Sequence, residues 1–115
     1  MNSSNSRYLG EEFKRQFKRL AKKYRSLPTD FKAFVQGMGT DPMQGTDLGS
    51  GMRKVRMAIG SKGKGKSGGA RVIVYHVETS HDHLEITMLT IYDKGELANV
   101  SDAYIKSLLA NLLQS

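Results

Sequence analysis

Apolar and polar positions divide the chain into two halves with different periods. From Glu11 to Tyr24 the apolar residues Phe13, Phe17, Leu20, Ala21 and Tyr24 fall on one helical stripe, with lysines and arginines around the rest, which predicts an amphipathic helix. Pro28 ends the connection after it. Thr29 or Asp30 is placed to cap a second, shorter helix through Phe31, Phe34, Val35 and Met38, so the pair reads as an αα-hairpin. A connector holding Gly37, Gly39, Pro42, Gly45, Gly49 and Gly51 follows, and no repeating pattern survives it.

Beyond the connector the period falls to two. Val55, Met57 and Ile59 alternate with Lys54, Arg56 and Ala58, the pattern of a strand with one apolar face and one face carrying two cations. Ser61 to Gly69 reads as a Lys/Gly loop. Arg71 to Glu78 and Leu84 to Tyr92 are rich in Val, Ile, Leu and Tyr and are joined by the polar turn Thr79 to His83, which predicts an antiparallel hairpin. Ser101 then caps a final helix whose Ile105, Leu108, Leu109 and Leu112 share a face. The expected class is α+β: an N-terminal helical hairpin packed on a small antiparallel sheet, a C-terminal helix, and the helices on one sheet face.

A chain of 115 residues has room for one domain with a single modest core. With no cysteine, a disulfide framework, a thiolate metal site and a cysteine nucleophile are all excluded, and a reducing cytoplasm is the expected compartment. No apolar run approaches membrane-spanning length, and Met1 to Leu9 is polar rather than signal-like, so no membrane partner is expected. Eighteen Lys and Arg against eleven Asp and Glu give a net charge of +7 and point to a polyanionic partner. Seven of the basic residues lie between Lys14 and Arg25, where a solvated helix face explains them equally well. Seven more lie between Arg53 and Arg71 with no acid among them, and such cations repel one another unless an anion relieves them.

Gly60 to Ser67 reads G-S-K-G-K-G-K-S, a literal match to the phosphate-loop pattern. That loop works only if a helix starts at its Lys-Ser, and here two glycines and a β-branched run follow, so the nucleotide-triphosphate reading is rejected. Lys62, Lys64 and Lys66 are instead expected, with Arg53, to grip a phosphate backbone from a mobile flap. Lys54 and Arg56 leave the same face of their strand, Arg71 opens the next, and Lys94 stands past the end of the third. If the strands are adjacent, these four converge. His76, His81 and His83 lack the carboxylate and histidine set of a metal site, and neither a metal nor another cofactor is expected.

A metal-free cluster of Lys and Arg suits RNA cleavage, because the substrate brings its own nucleophile. The ribose 2′-hydroxyl attacks the adjacent phosphate, and the protein holds the two in line and stabilises the charge of the phosphorane. Lys54 is the first candidate for the base, with Tyr92 and Glu96 behind it as acid/base groups.

Three stretches carry a family resemblance: the helix E-E-F-K-R-Q-F-K-R-L-A-K-K-Y from Glu11 to Tyr24, K-G-K-S-G-G-A-R-V-I from Lys64 to Ile73, and L-T-I-Y-D-K-G-E from Leu89 to Glu96. Between Glu11 and Leu113 the chain resembles the RelE/HigB toxins of type II toxin-antitoxin systems. The resemblance implies a RelE-like fold over residues 11–115 and cleavage of mRNA, in most cases on the ribosome. It also implies neutralisation by a small acidic antitoxin, and contact with operator DNA only through the toxin-antitoxin complex. It places the family's catalytic basic positions on Lys54, Arg56, Arg71 and Lys94, and the archetype's tyrosine near Val100. The family opens with a strand, whereas Met1 to Leu9 shows no strand pattern, so residues 1–10 are expected to be disordered or atypical. A non-catalytic toxin of the related ParE type, acting on DNA gyrase, is the alternative. A plain nucleic-acid-binding module finds no RNP-like aromatic pair or helix-turn-helix signature to support it.

Overall fold

The structure is a computed structural model in which residues 4–114 are described. Its first helix, α1 (Glu11–Lys23), has Glu11 and Glu12 in the first turn and Lys22 and Lys23 in the last, complementing the helix dipole at both ends. The second, α2 (Leu27–Thr40), begins before the caps expected at Thr29 or Asp30. Pro28 sits in its first turn, where a missing N–H is harmless. It also runs through Gly37 and Gly39, which the pattern assigned to the connector. Burial of Phe34 and Met38 outweighs the helix penalty of a glycine, about 1 kcal/mol. Phe31 ties the two helices together, its ring 5.2 Å from Phe13 and 5.4 Å from Phe17.

The sheet comprises β1 (Ser4–Leu9), β2 (Thr46–Gly49), β3 (Met52–Met57), β4 (Ala70–Ser80) and β5 (His83–Asp93), in the order β1-β5-β4-β3-β2. It is mixed, because β1 pairs parallel to β5 from Ser4↔His83 to Leu9↔Met88. This corrects the reading of residues 1–10 as lacking a strand; Met1 to Ser3 of that segment lie outside the described residues. The segment S-N-S-R-Y-L has weak strand propensity of its own, and the edge of β5 supplies its hydrogen-bond partners. At the opposite edge β2 stops across from Lys54, so Val55 to Met57 form the rim of the sheet there.

The third helix, α3 (Asp102–Gln114), is capped by the Ser101 hydroxyl, which accepts from Tyr104 N–H at 3.1 Å. It does not join the hairpin's side of the sheet, as expected from sequence. Phe13, Leu20, Phe34 and Met38 pack with Val55, Val72, Val74 and Ile91 in one core layer. Ile105 packs with Met52, Ile73, Leu89 and Tyr92 in the other, and Leu108, Leu109 and Leu112 lie against that layer. The correction has a simple cause: β4 and β5 are apolar on both faces, so each face demands a cover. A bulge between Ile73 and Val74 opposite Thr90 and Met88 leaves Leu89 extra in β5. Before it Ile86 and Met88 face the hairpin; after it Ile91 does, and Tyr92 turns toward α3.

Among the described residues no helix is long and apolar enough to cross a membrane.

Candidate functional site

The register places Lys54 opposite Ile73 and Arg56 directly opposite Arg71. Their shared face is the one turned away from the α1–α2 hairpin, because the intervening Val55 and Val72 are in the hairpin's core. A groove of about 400 Å³ opens here, lined by Lys54, Val55, Arg56 and Arg71 from the sheet, Lys66 from the loop, and Gln44, Gly45 and Thr46 from the connector and β2. Four cations line it and no acid does. Like charges facing each other across a strand pair are unfavourable, which is the electrostatic signature of a site for an anion.

Two glycines let the walls close. A Cβ on Gly69 would lie 2.2 Å from the Met57 carbonyl oxygen, so only glycine lets the loop re-enter the sheet beside β3. Gly45 has φ +95°, and a Cβ there would meet the Lys54 carbonyl oxygen at 2.4 Å. Arg53, expected among the RNA-binding residues, braces this wall instead. Its guanidinium donates to the carbonyls of Gln44 at 3.1 Å and Gly45 at 2.9 Å, and it approaches Asp47 at 4.0 Å.

Arg71 is held by backbone. Nη1 donates to the Lys66 and Ala70 carbonyls, each at 3.2 Å, and Nη2 to that of Ser67 at 3.1 Å. No ion pair is formed by Arg71, Arg56 or Lys66 among the described residues. Tyr92 is the cross-strand partner of Arg71 and is almost fully buried. Burial pushes its hydroxyl pKa up and the Arg71 charge pulls it back in part, leaving a net rise. Tyr92 therefore stays a protonated phenol at neutral pH, able to donate a proton but not to accept one there. Asn99, which the sequence reading missed, links the two sides of this corner. Its Oδ1 accepts from Lys54 Nζ at 3.5 Å and Tyr92 OH at 3.4 Å. A lone Asn in an irregular segment offered no signal for it.

The other nominated residues lie elsewhere. Lys94 donates to the Ala98 carbonyl at 3.2 Å and does not line the groove. Lys64 is exposed near the loop tip. Lys62 is folded inward onto Asp93 at 2.7 Å, its side chain only 12% exposed, so it is no part of a mobile flap. Glu96 accepts from Arg19 at 2.9 and 3.2 Å and from Lys23 at 3.1 Å, on the α1 side. The Arg19 hydrogen bonds lower its carboxyl pKa first; burial opposes them and Lys23 reinforces them. No helix follows Gly60 to Ser67; a short 3₁₀ turn at Gly60–Lys62 and irregular turns lead into β4, without phosphate-loop geometry. Among the described residues no cluster of His, Asp or Glu could hold a metal ion.

A larger groove, about 550 Å³, runs between α1 and α3 past Glu11, Glu12, Arg15 and Tyr104. It carries two acids, and its Tyr104 and Arg15 are already used by one of them: Tyr104 OH donates to Glu12 at 2.7 Å, and Arg15 pairs with Glu12. The smaller cationic groove is thus the better candidate for chemistry on a phosphate polymer. A family model described as the RelE toxin of the RelE/RelB toxin-antitoxin system matches residues 12–112, from the first turn of α1 to the last turn of α3, and the chain belongs to that family.

Proposed function

We propose that this toxin is an endoribonuclease that cuts mRNA on the ribosome, in the cytoplasm, through the groove of Lys54, Arg56, Lys66 and Arg71. The observation that carries the reading is the acid-free cluster of four cations with Arg71 already oriented by loop carbonyls. In the reaction the 2′-oxygen forms a bond to phosphorus while the bond to the 5′-oxygen breaks, leaving a 2′,3′-cyclic phosphate and a 5′-hydroxyl. Arg71 keeps Nε–H for a phosphoryl oxygen, with Arg56 facing it across the strand pair, so the extra charge of the phosphorane meets fixed donors. Lys54, held by Asn99, is the proposed acceptor of the 2′-hydroxyl proton, a role that it fills only as the neutral amine. Tyr92, beside the groove rather than in its lining, is opposite Arg71 and shares Asn99 with Lys54, and is the proposed proton donor to the leaving oxygen. Lys66, with Lys64 at the loop tip, draws the backbone in.

Outside the reaction, an acidic segment of the cognate antitoxin would neutralise the groove, and operator DNA would be reached only through that complex. The direct test is purified toxin on translating ribosomes, with the message ends mapped by primer extension. Cleavage leaving a cyclic phosphate is expected, and a single 2′-deoxy nucleotide at the cut site should abolish it. Intact message at saturating toxin would refute the reading, and supercoiling assays with gyrase would then test the non-catalytic alternative.

A further inference from the structure

Asp93 is the last residue of β5 and is 1% exposed. Its Oδ1 accepts from Lys62 Nζ at 2.7 Å and Gly95 N–H at 2.9 Å, its Oδ2 accepts from Tyr24 OH at 2.5 Å, and Lys23 Nζ stands 3.6 Å away. Burial pushes the carboxyl up, but the hydrogen bonds from Lys62, Tyr24 and Gly95 and the Lys62 charge outweigh it and hold the pKa at about 2. None of these groups touches the groove. A buried ion pair of this kind is weak evidence for stability, because desolvation offsets most of its attraction; what it does well is fix one geometry.

What it fixes is the loop. Lys62 is the inward-pointing side chain of the Gly60–Gly69 segment and lies over the Tyr24 ring, 5.6 Å from its centroid. The turn just before it is clasped as well: Gly60 N–H donates to Asp30 at 3.0 Å and Ser61 N–H to the Ser26 hydroxyl at 2.8 Å. At the other end, the N–H of Lys94, next to Asp93, donates to the Gly69 carbonyl at 3.0 Å. Between these anchors Gly63 and Gly65 have left-handed backbone with open space where a side chain would stand. At these two glycines the tip makes no packing contact, while Lys64 lies close against Gly68. Yet this span supplies the Lys66 and Ser67 carbonyls that hold the Arg71 guanidinium.

We infer that Asp93 is a positioning residue for Arg71: through Lys62 it sets the loop, and the loop carbonyls set the guanidinium. The inference builds on the groove as the nuclease site. Its test is chosen so that the two can fail separately. Lys62→Met removes the strut while leaving Asp93 its other partners, Asp93→Asn removes the charge, and Lys62→Arg restores a cation of similar reach. In single-turnover cleavage of ribosome-bound message, the first two should lower the saturating rate by up to about 10²-fold, with the half-saturating concentration little changed. Lys62→Arg should recover most of the rate. In parallel, the Arg71 Nε–Hε resonance of the free protein, assigned by its loss in Arg71→Lys, reports the guanidinium without any cleavage. It should be shifted from the free-arginine position in the wild type and in Lys62→Arg, and collapse to that position in Lys62→Met. If the wild type does not cleave but the resonance behaves so, the positioning stands and the nuclease reading falls. A folded Lys62→Met with an unmoved Arg71 resonance and an undiminished rate overturns the inference, and Lys62→Met decides alone should Asp93→Asn not fold.

Discussion

Replacing Arg71 tests the cationic groove most sharply, and the structure sets what each replacement removes. Both Nη atoms are engaged by the carbonyls of Lys66, Ser67 and Ala70, so the guanidinium is fixed before any substrate arrives. Arg71→Lys keeps the charge, but a single ammonium cannot grip the loop carbonyls and meet a phosphoryl oxygen at once. Arg71→Ala removes everything. Loss of one preoriented donor to a developing oxyanion typically costs ~2.7 to 4 kcal/mol, or ~10² to 10³ in rate. Stability should change little. A surface ion pair with Glu85 is ruled out by register, since Glu85 lies opposite Val77 and Arg71 opposite Tyr92. The lost hydrogen bonds, about 1 kcal/mol each, are partly offset by relief of the Arg56 and Arg71 repulsion across the strands, roughly 0.2 to 1 kcal/mol. The assay is primer extension on ribosome-bound message under single-turnover conditions, with thermal melts and antitoxin binding as controls. Both variants should remain folded, bind antitoxin and lose at least ~10² in cleavage rate. Cleavage at the wild-type rate by folded Arg71→Ala would remove Arg71 from the site, and with it the case for this sheet face.

Acid should weaken the fold through Asp93. Its folded pKa of about 2 lies below the ordinary 3.8, so its contribution is present above about pH 4 and is lost as the pH falls toward 2. The full loss is about 2 kcal/mol, and urea titrations at several pH values should show this limb shrink in Asp93→Asn. Gly69→Ala forces a Cβ against the Met57 carbonyl; a loss of roughly 1 to 3 kcal/mol together with reduced cleavage is expected, and an unchanged melt would contradict the close packing. Expression of the toxin alone should arrest growth and co-expression of its antitoxin should restore it; normal growth at verified soluble expression would count against an active toxin. If the antitoxin covers the cationic groove as proposed, its affinity should fall as salt rises, and titration calorimetry across ionic strengths would expose an insensitive complex.

Alternation along the chain was enough to read the β4–β5 hairpin, the shared face of Lys54 and Arg56, and the place of Arg71 beside them. Other features depend on contacts far apart in sequence. The bulge at Leu89 shifts the parity of β5, so no count by twos from Ile86 puts Tyr92 across from Arg71. The strand at Ser4–Leu9 exists because β5 offers an edge, not because its residues favour extension. Charge showed that Arg53, Lys62 and Glu96 were ionic but not whom they would meet. Their partners are backbone carbonyls of the connector, a buried carboxylate and the cations of α1. The side taken by α3 was not legible, because placing all helices on one face leaves Ile73 and Tyr75 on the other without the cover that α3 gives them.

The rim left where β2 stops short also bears on how two copies of the toxin behave toward each other. Unpaired strand edges invite a neighbouring chain to add its own strand and begin aggregation. Here the rim carries Arg56, flanked by Lys54 at the last paired position and Lys66 from the loop, and a second copy would bring the same positive charges to the same place. Self-association through this edge is therefore opposed by repulsion, whereas an anionic chain meets no such barrier. On the proposed reading one set of charges serves as both attractant and gatekeeper, so neutralising Arg56 and Lys66 together should raise the free toxin's tendency to self-associate as well as lower its cleavage of RNA.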